Sequence, residues 1–381
     1  MSVEVTTLTT GAELGALGPE WDGLVRAMPR PSPFLLQGWI LPWWRHYGAE
    51  RELEVHVARR DGLLTAALPL CVERNRLGVR RLRFPGGPQA VLGDVLLARG
   101  EGPGIARLLV EQARQRGRHD LLDVFGIPEN SVLERSLSDR ELRVIERIEA
   151  PVLDVRGSWQ EIYRAKTSGK ARATHNRHRR QLAELGRLRT RIARSPEEIG
   201  RALEEAFRLH RLRWEGRPDS SEFASRRGAA FQRDAFLALA REGIPRLALL
   251  ELDGRAIAFN AYFLFAGRMY GDRMAFDPAF ARFSPGLLLT LDALEAGVDE
   301  GAARVEFLGG AERYKLGFAD RFEPLYAGLG LSASLKGRAA AALAARLIIA
   351  RKRLKRSEHI HRFYFETLAP LRRRLEQARR D

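Results

Sequence analysis

Residues 284–309, SPGLLLTLDALEAGVDEGAARVEFLG, repeat a pattern first met at residues 102–126, GPGIARLLVEQARQRGRHDLLDVFG. In each stretch Pro-Gly opens a helical segment, Gly closes it, and a short apolar strand ends in Gly. Proline suits a first helical turn, where its missing N–H has no partner to lose, and glycine after the last turn supplies a left-handed cap. The distance from Pro to the final Gly is 23 residues in the first stretch and 24 in the second. Working outward, each is preceded by a hairpin pattern. Strand-like runs 53–58 and 63–72 flank Asp61-Gly62, and runs 246–252 and 255–265 flank Asp253-Gly254. Asp-Gly between β-rich runs tolerates the positive φ of tight hairpin turns. Each half therefore reads as antiparallel strands, a helix, and a strand that rejoins the sheet. The expected class is α/β (α+β), with a mixed, mostly antiparallel sheet flanked by helices in each half.

The rest of the chain fits around this duplication. The expected divisions are 1–155, 156–330 and a basic helical tail, 331–381, with a break near Ser357 or Pro370. A strand-like PVLDV (151–155) and a basic helix lie between the halves, followed by an amphipathic segment, 196–210, with Ile199, Leu203, Phe207 and His210 at helical spacing. The chain has a formal net charge of +16, and it is concentrated. Residues 164–194 hold eleven Lys/Arg against one acid, and residues 331–381 hold fourteen against four. Each segment is thus +10 and the remainder −4, which points to an anionic partner. The plainer alternative is solvated basic helices in a chain with 58 Arg and only six Lys.

Several classes are excluded. A single cysteine, Cys71 in an apolar run, cannot make an internal disulfide and reads as a buried structural thiol. The eight histidines are scattered without a metal-ligand pattern, so no metal is expected. There is no G-x-S-x-G element. No apolar stretch reaches a membrane span, the longest (339–350) being interrupted by Arg346. The N-terminal stretch lacks a signal-peptide pattern, so the expected location is the cytoplasm, or a membrane surface contacted through 331–381.

Polar motifs crowd the second half: LHRLRW (209–214), AFN (258–260), FDPAFARFSPG (276–286), VEFLGG (305–310) and ERYKLGF (312–318). As a series they resemble the bacterial CelD-like GNAT-fold acyltransferases, which are related to the Fem-type transferases that add amino acids from tRNA. The resemblance covers roughly residues 20–327 and is strongest over 158–318. It implies tandem GNAT-like domains with the chemistry mostly in the second, an acyl-CoA (acetyl-CoA) donor or an aminoacyl-tRNA in its place, and a small-molecule or glycan amine as acceptor. The usual Q/R-x-x-G-x-G/A phosphate loop is missing.

Read residue by residue, the helix start at Ser284, Gly286 and Leu287, with Arg282 upstream, is the expected donor-phosphate site, Ser284 serving as cap. The alternative is an ordinary capped helix. Glu306, between Val305 and Phe307, is a candidate general base or an ion-pair partner of Arg273 or Arg313. Tyr314 and Lys315 are candidates for protonating the leaving group and stabilising the oxyanion. Lys315 stands out because it is one of three lysines before residue 331. His210, Arg213 and Trp214 share a helical face and, with Asn260 and Arg273, are candidates for holding the acceptor. Lys166, Lys170, Arg172, Arg177, Arg179 and Arg180 form a basic contact suited to phosphates, tRNA among them. A non-enzymatic pair of domains docked on a membrane or synthase remains the third reading.

Overall fold

The computed structural model describes residues 3–75, 77–86, 90–138, 141–214, 222–310, 312–331 and 334–356. Its strands are β1 (Val3–Leu8), β2 (Arg51–Arg60), β3 (Leu63–Arg74), β4 (Arg80–Arg83), β5 (Leu96–Leu97), β6 (Leu121–Pro128), β7 (Leu142–Ile148), β8 (Pro151–Asp154), β9 (Leu188–Ala193), β10 (Pro245–Leu252), β11 (Arg255–Phe265), β12 (Arg268–Phe276), β13 (Arg304–Glu306), β14 (Arg321–Phe322) and β15 (Leu325–Gly330). Its helices are α1 (Gly11–Ala16), α2 (Gly18–Ala27), α3 (Gln37–Tyr47), α4 (Pro103–Arg116), α5 (Val132–Arg135), α6 (Trp159–Lys166), α7 (Gly169–Ala183), α8 (Pro196–Trp214), α9 (Arg226–Ala240), α10 (Pro285–Asp299), α11 (Arg313–Phe318) and α12 (Leu335–Arg356).

The two Asp-Gly hairpins form as their turn chemistry requires. Asp61 and Gly62 sit at φ 50° and 81°, and Asp253 and Gly254 at 51° and 80°, both residues of each pair in the left-handed region. They join β2 to β3 and β10 to β11. The duplicated Pro-Gly segments are α4 and α10. Gly117 closes α4 in the left-handed conformation at φ 58°.

The first sheet runs β1-β2-β3-β4-β6-β15-β7, with β5 beside β3, and the second runs β14-β8-β13-β12-β11-β10-β9. Reversing the second order shows the same plan. Strands β9, β10, β11 and β12 correspond to β1, β2, β3 and β4, and β13 corresponds to β6. In both sheets the single parallel pairing falls between the fourth and fifth strands, β4 with β6 and β12 with β13.

The sixth strand of each sheet comes from the other half. β8 pairs antiparallel with β13 and β14, and β15 pairs antiparallel with β6 and β7. The expected boundary at 155/156 therefore divides the chain but not the sheets. A strand of four or six residues takes its place from the free edges that the fold offers, not from its neighbours in sequence.

The halves also share a core. Trp39 of α3 meets Phe34, Phe231 of α9 and Phe263 of β11 edge to face at 5.1, 5.1 and 5.9 Å. Such contacts add to the burial of large aromatic area. The α12 helix lays Ala340, Ala341 and Ala344 against Val79, Leu121, Ile145 and Leu329. A side chain at Gly337 would collide with the Asp120 carbonyl, so only glycine lets α12 approach there. No helix among the described residues is long and apolar enough to cross a membrane. The expected break near Ser357 or Pro370 lies outside the described residues. Cys71 is buried and its thiol is pushed up to about 12 by desolvation, in keeping with a structural role.

Candidate active site

The distinctive geometry of the second half lies where β12 and β13 separate. They pair only through Arg268–Arg304, Met269–Val305 and Tyr270–Glu306. Beyond that point the chain turns away: the Phe307 N–H donates to the Pro151 carbonyl at 3.1 Å, and Leu308 and Gly310 take positive φ of 56° and 123°. β12 continues to Phe276 paired with β11 alone. Its other edge has no strand partner among the described residues. The register against β11 shifts between Ala261–Arg273 and Tyr262–Gly271, which makes Asp272 the extra residue of a β-bulge. Bulges re-aim side chains and gather beside active sites.

Helix α10 begins against the far end of the same strand. A Cβ on Gly286 would lie 2.6 Å from Met274 Sδ and 3.0 Å from the Phe276 ring, so glycine is needed for this approach. Ser284 adopts φ 53°, and its side chain makes no capping bond. The hydroxyl cap expected from the sequence is thus absent; the Ser284 carbonyl instead accepts from Leu287 and Leu288 N–H at 3.0 and 3.1 Å. Leu287 is accordingly not free to donate to a phosphate, which leaves the Gly286 N–H and the exposed Arg282 as the cationic and donor groups there. Arg282 lies over the Phe283 ring at 4.6 Å.

Four of the expected acceptor residues are brought together. His210 is buried, stacks on Trp214 with centroids 6.0 Å apart, and lies 5.0 Å from Phe223. The Arg273 guanidinium sits 5.3 Å over Phe223, and that of Arg213 sits 4.9 Å over Phe276. Burial first, then the positive charges of Arg273 and Arg211, lower the His210 imidazole to about 4, so it is neutral at pH 7. Next to Arg273, Asp272 is raised to about 6 by desolvation, which the Arg273 charge only partly offsets. The sequence reading named Arg273 and passed over Asp272 and Phe223. Nothing in GDRMAF marks the bulge that singles out the aspartate. Asn260 is not part of this group. Its Nδ2 donates to Thr290 Oγ1 at 3.0 Å, pinning β11 to α10, so its expected acceptor role gives way to a structural one.

Glu306 also departs from expectation. It is fully buried, and Arg30, Arg268 and Arg304 lie 2.7, 2.9 and 2.9 Å from its oxygens. Neither Arg273 nor Arg313 is involved. A carboxylate enclosed by three guanidinium groups serves as their shared counter-charge. The general-base role fails on that geometry, and Glu306 instead ties the second sheet to the first half through Arg30. A cleft of about 480 Å³ opens beside this network, lined in part by Arg30, Arg135, Arg268, Arg304, Asp94 and Glu323. Three of its four arginines are engaged by Glu306 or Glu323, and it lies at the paired end of β12, away from the parted end.

Lys315 folds back over the Gly309–Gly310 turn, donating to the Gly309 carbonyl at 3.0 Å with Glu312 at 3.1 Å. Tyr314 packs edge-on against Phe307 at 6.3 Å, and burial raises its hydroxyl pKa well above the ordinary value. Of the basic residues, Lys166 pairs with Asp320, Arg179 with Asp292, and Arg172 donates to the Thr167 carbonyl. Lys166 and Arg179 fix the α6–α7 corner to the body, and Arg172 braces the turn within it. Lys170, Arg177 and Arg180 are exposed, with no ion-pair partner among the described residues. Among those residues no group of three His, Cys, Asp or Glu is placed to hold a metal.

Residues 169–316 match the acetyltransferase (GNAT) domain family. The whole chain shares the fold of FemX, at 12% identity with 87% of this chain and 96% of that one covered and a TM-score of 0.58. It is similar in fold to the C-terminal domain of a putative lysylphosphatidylglycerol synthetase from Agrobacterium fabrum, at 16% identity, 87% and 97% coverage and a TM-score of 0.54. It is also similar to L-PGS from Bacillus licheniformis, at 16% identity, 87% and 96% coverage and a TM-score of 0.53. No curated protein sequence matches. The tandem Fem-like GNAT fold expected from the motif series is thus the fold observed.

Proposed function

We propose that the chain is an N-acyltransferase that moves an acyl group from acyl-CoA to an amine in the parted strands of the second half. The observation that carries this reading is the unpaired edge of β12 beyond Tyr270, with the start of α10 at its far end. An exposed strand edge pairs with an extended ligand through main-chain hydrogen bonds, and the pantetheine arm of acyl-CoA carries the amides to do so. The donor's phosphates would meet Arg282 and the Gly286 N–H. The acceptor would lie towards His210, Trp214, Arg213 and Arg273. Tyr314 and Lys315 are placed on the loop after β13 to serve the leaving group or the oxyanion once Lys315 exchanges its Gly309 contact for substrate. Titration calorimetry with acetyl-CoA is the test. Saturable binding at one site per chain, lost when Gly286 is replaced by valine, is expected; absence of heat with acetyl-CoA would count against the CoA donor.

A second donor is favoured by a separate observation, the unpaired Lys170, Arg177 and Arg180 on the face of α7. These cations suit the phosphates of an aminoacyl-tRNA. On this reading, filter binding of tRNA falls steeply with salt and is lost in a K170E/R177E/R180E variant, while acetyl-CoA gives no signal.

A further inference from the structure

Two titratable side chains near the point where β12 and β13 part are already occupied. Glu306 is locked among three arginines. His210 is held neutral and binds a proton only near pH 4, so it is a weak base at neutral pH. Asp272 remains. It is the residue that the β12 bulge inserts, two positions beyond the last β12–β13 pair and beside Arg273. Its Oδ2 is buried and has no hydrogen-bond partner among the described residues. A buried carboxylate oxygen left unpaired is costly and calls for a partner, from a bound molecule or a water. Its flanking residue, Gly271, has no side chain to cover it, and a Cβ built there would meet only the Glu306 carbonyl, at 3.9 Å.

The geometry points to Asp272 as the general base that takes a proton from the acceptor ammonium. This inference rests on the transferase reading and adds the proton acceptor to it. The Asp272 carboxylate removes one proton from R–NH3+, leaving R–NH2. The amine lone pair forms the C–N bond to the thioester carbonyl carbon. The tetrahedral intermediate breaks its C–S bond, and the second nitrogen proton passes to the leaving thiolate. Asp272 then returns its proton to solvent. With an aminoacyl ester as donor the same sequence breaks a C–O bond. The raised pKa of the carboxyl, about 6, suits a base working near neutrality. The other titratable and charged groups on the elements packed there are Arg273 on the same strand, Tyr262 across the bulge on β11, His210, Arg211 and Arg213 on α8, and Arg268 with Glu306 at the paired end.

The test compares wild type with D272N and D272E, using acetyl-CoA as donor probe and glycine and glucosamine 6-phosphate as acceptor probes, with free thiol as the readout. D272N is expected to keep its acetyl-CoA affinity within about twofold and its melting temperature, since an amide relieves the desolvation of a buried charge. Its kcat should fall about 100-fold or more, and the inflection near pH 6 in the kcat/KM profile should vanish. D272E should restore part of kcat and the inflection. If D272N turns over like wild type, or keeps the inflection, Asp272 is not the base and the transferase reading stands. If D272N loses acetyl-CoA binding along with turnover, its role is structural and the inference is overturned. If wild type releases no thiol from acetyl-CoA and, in a parallel assay with labelled aminoacyl-tRNA, transfers no label to either acceptor, the transferase reading falls and takes the inference with it.

Discussion

The two halves open the same gap and treat it in opposite ways. In the first sheet β4 and β6 pair through Arg81–Leu121 and Leu82–Leu122 and then part, as β12 and β13 do. There the chain fills its own gap. The Leu92 N–H donates to the Gly126 carbonyl at 2.7 Å, and Leu92, Val95 and Leu96 are buried. Asp94, buried beside them, accepts backbone N–H bonds from Val95, Val132 and Leu133 at 2.7, 2.9 and 2.8 Å. The difference is one connection. From β4 to α4 the chain runs over residues 84–102, long enough to fold back into the gap; from β12 to α10 it has only residues 277–284. A duplicated fold can thus keep one working cleft and seal the other by the length of one loop, with the sheet order unchanged.

The largest expected effect tests whether the matching carboxylates are structural in both halves. Glu306→Gln removes the fully buried carboxylate shared by Arg30, Arg268 and Arg304, leaving Glu323 to pair with only two of them, and should cost about 3–5 kcal/mol. Asp123→Asn, partly exposed and paired with Arg81 and Arg83, should cost about 1 kcal/mol. Urea unfolding of the two variants reads the difference. If Glu306→Gln unfolds like wild type but loses turnover, the catalytic role returns to Glu306.

Next come two glycines, one in each half, that allow a close approach beside the gap. Gly126 sits at φ 71°, and its Cβ would lie 3.1 Å from Val91. Valine at either Gly126 or Gly286 should destabilise by about 1–3 kcal/mol. Only the change at Gly286 should also weaken donor binding per folded molecule. Equal loss of binding in both would break the contrast between a sealed and an open gap.

A smaller effect is the response to acid. His210 titrates near 4 when folded and about 6.5 when unfolded. The stability it contributes is present above about pH 6.5 and is lost as pH falls towards 4. Asp272 acts in the opposite sense: raised to about 6, it favours folding at low pH, and that contribution is lost as pH rises through about 6. His210→Phe should therefore lose less stability than wild type between pH 6.5 and 4, measured by thermal melts across that range. The smallest effect is expected for Ser284→Ala, whose hydroxyl caps nothing. It should change stability by less than about 0.5 kcal/mol, against about 1 kcal/mol for Ser168→Ala, whose hydroxyl accepts from the Ala171 N–H.

Much of this architecture was legible in the sequence because its signals are local. Asp61-Gly62 and Asp253-Gly254 specify their turns, and the Pro-Gly starts specify α4 and α10, from a few adjacent residues. The grouping of His210, Arg213 and Trp214 followed from helical spacing. What escaped depends on distant chain. Arg30, the partner that ties Glu306 to the first half, is 276 residues away. The left-handed Ser284 and the bulge at Asp272 depend on how α10 and β11 meet β12, and a strand-like run carries no mark of an extra residue. The crossing of β8 and β15 is likewise set by which sheet edges stand vacant.

That crossing has a consequence for biosynthesis. β15 lies between β6 and β7, so the first sheet stays split until residues 325–330 leave the ribosome. At about 5–20 residues per second, translation of the intervening chain after β7 takes roughly ten to thirty seconds. During that time β6 and β7 present open edges to whatever passes. The amino-terminal half of this chain is made first and finished last.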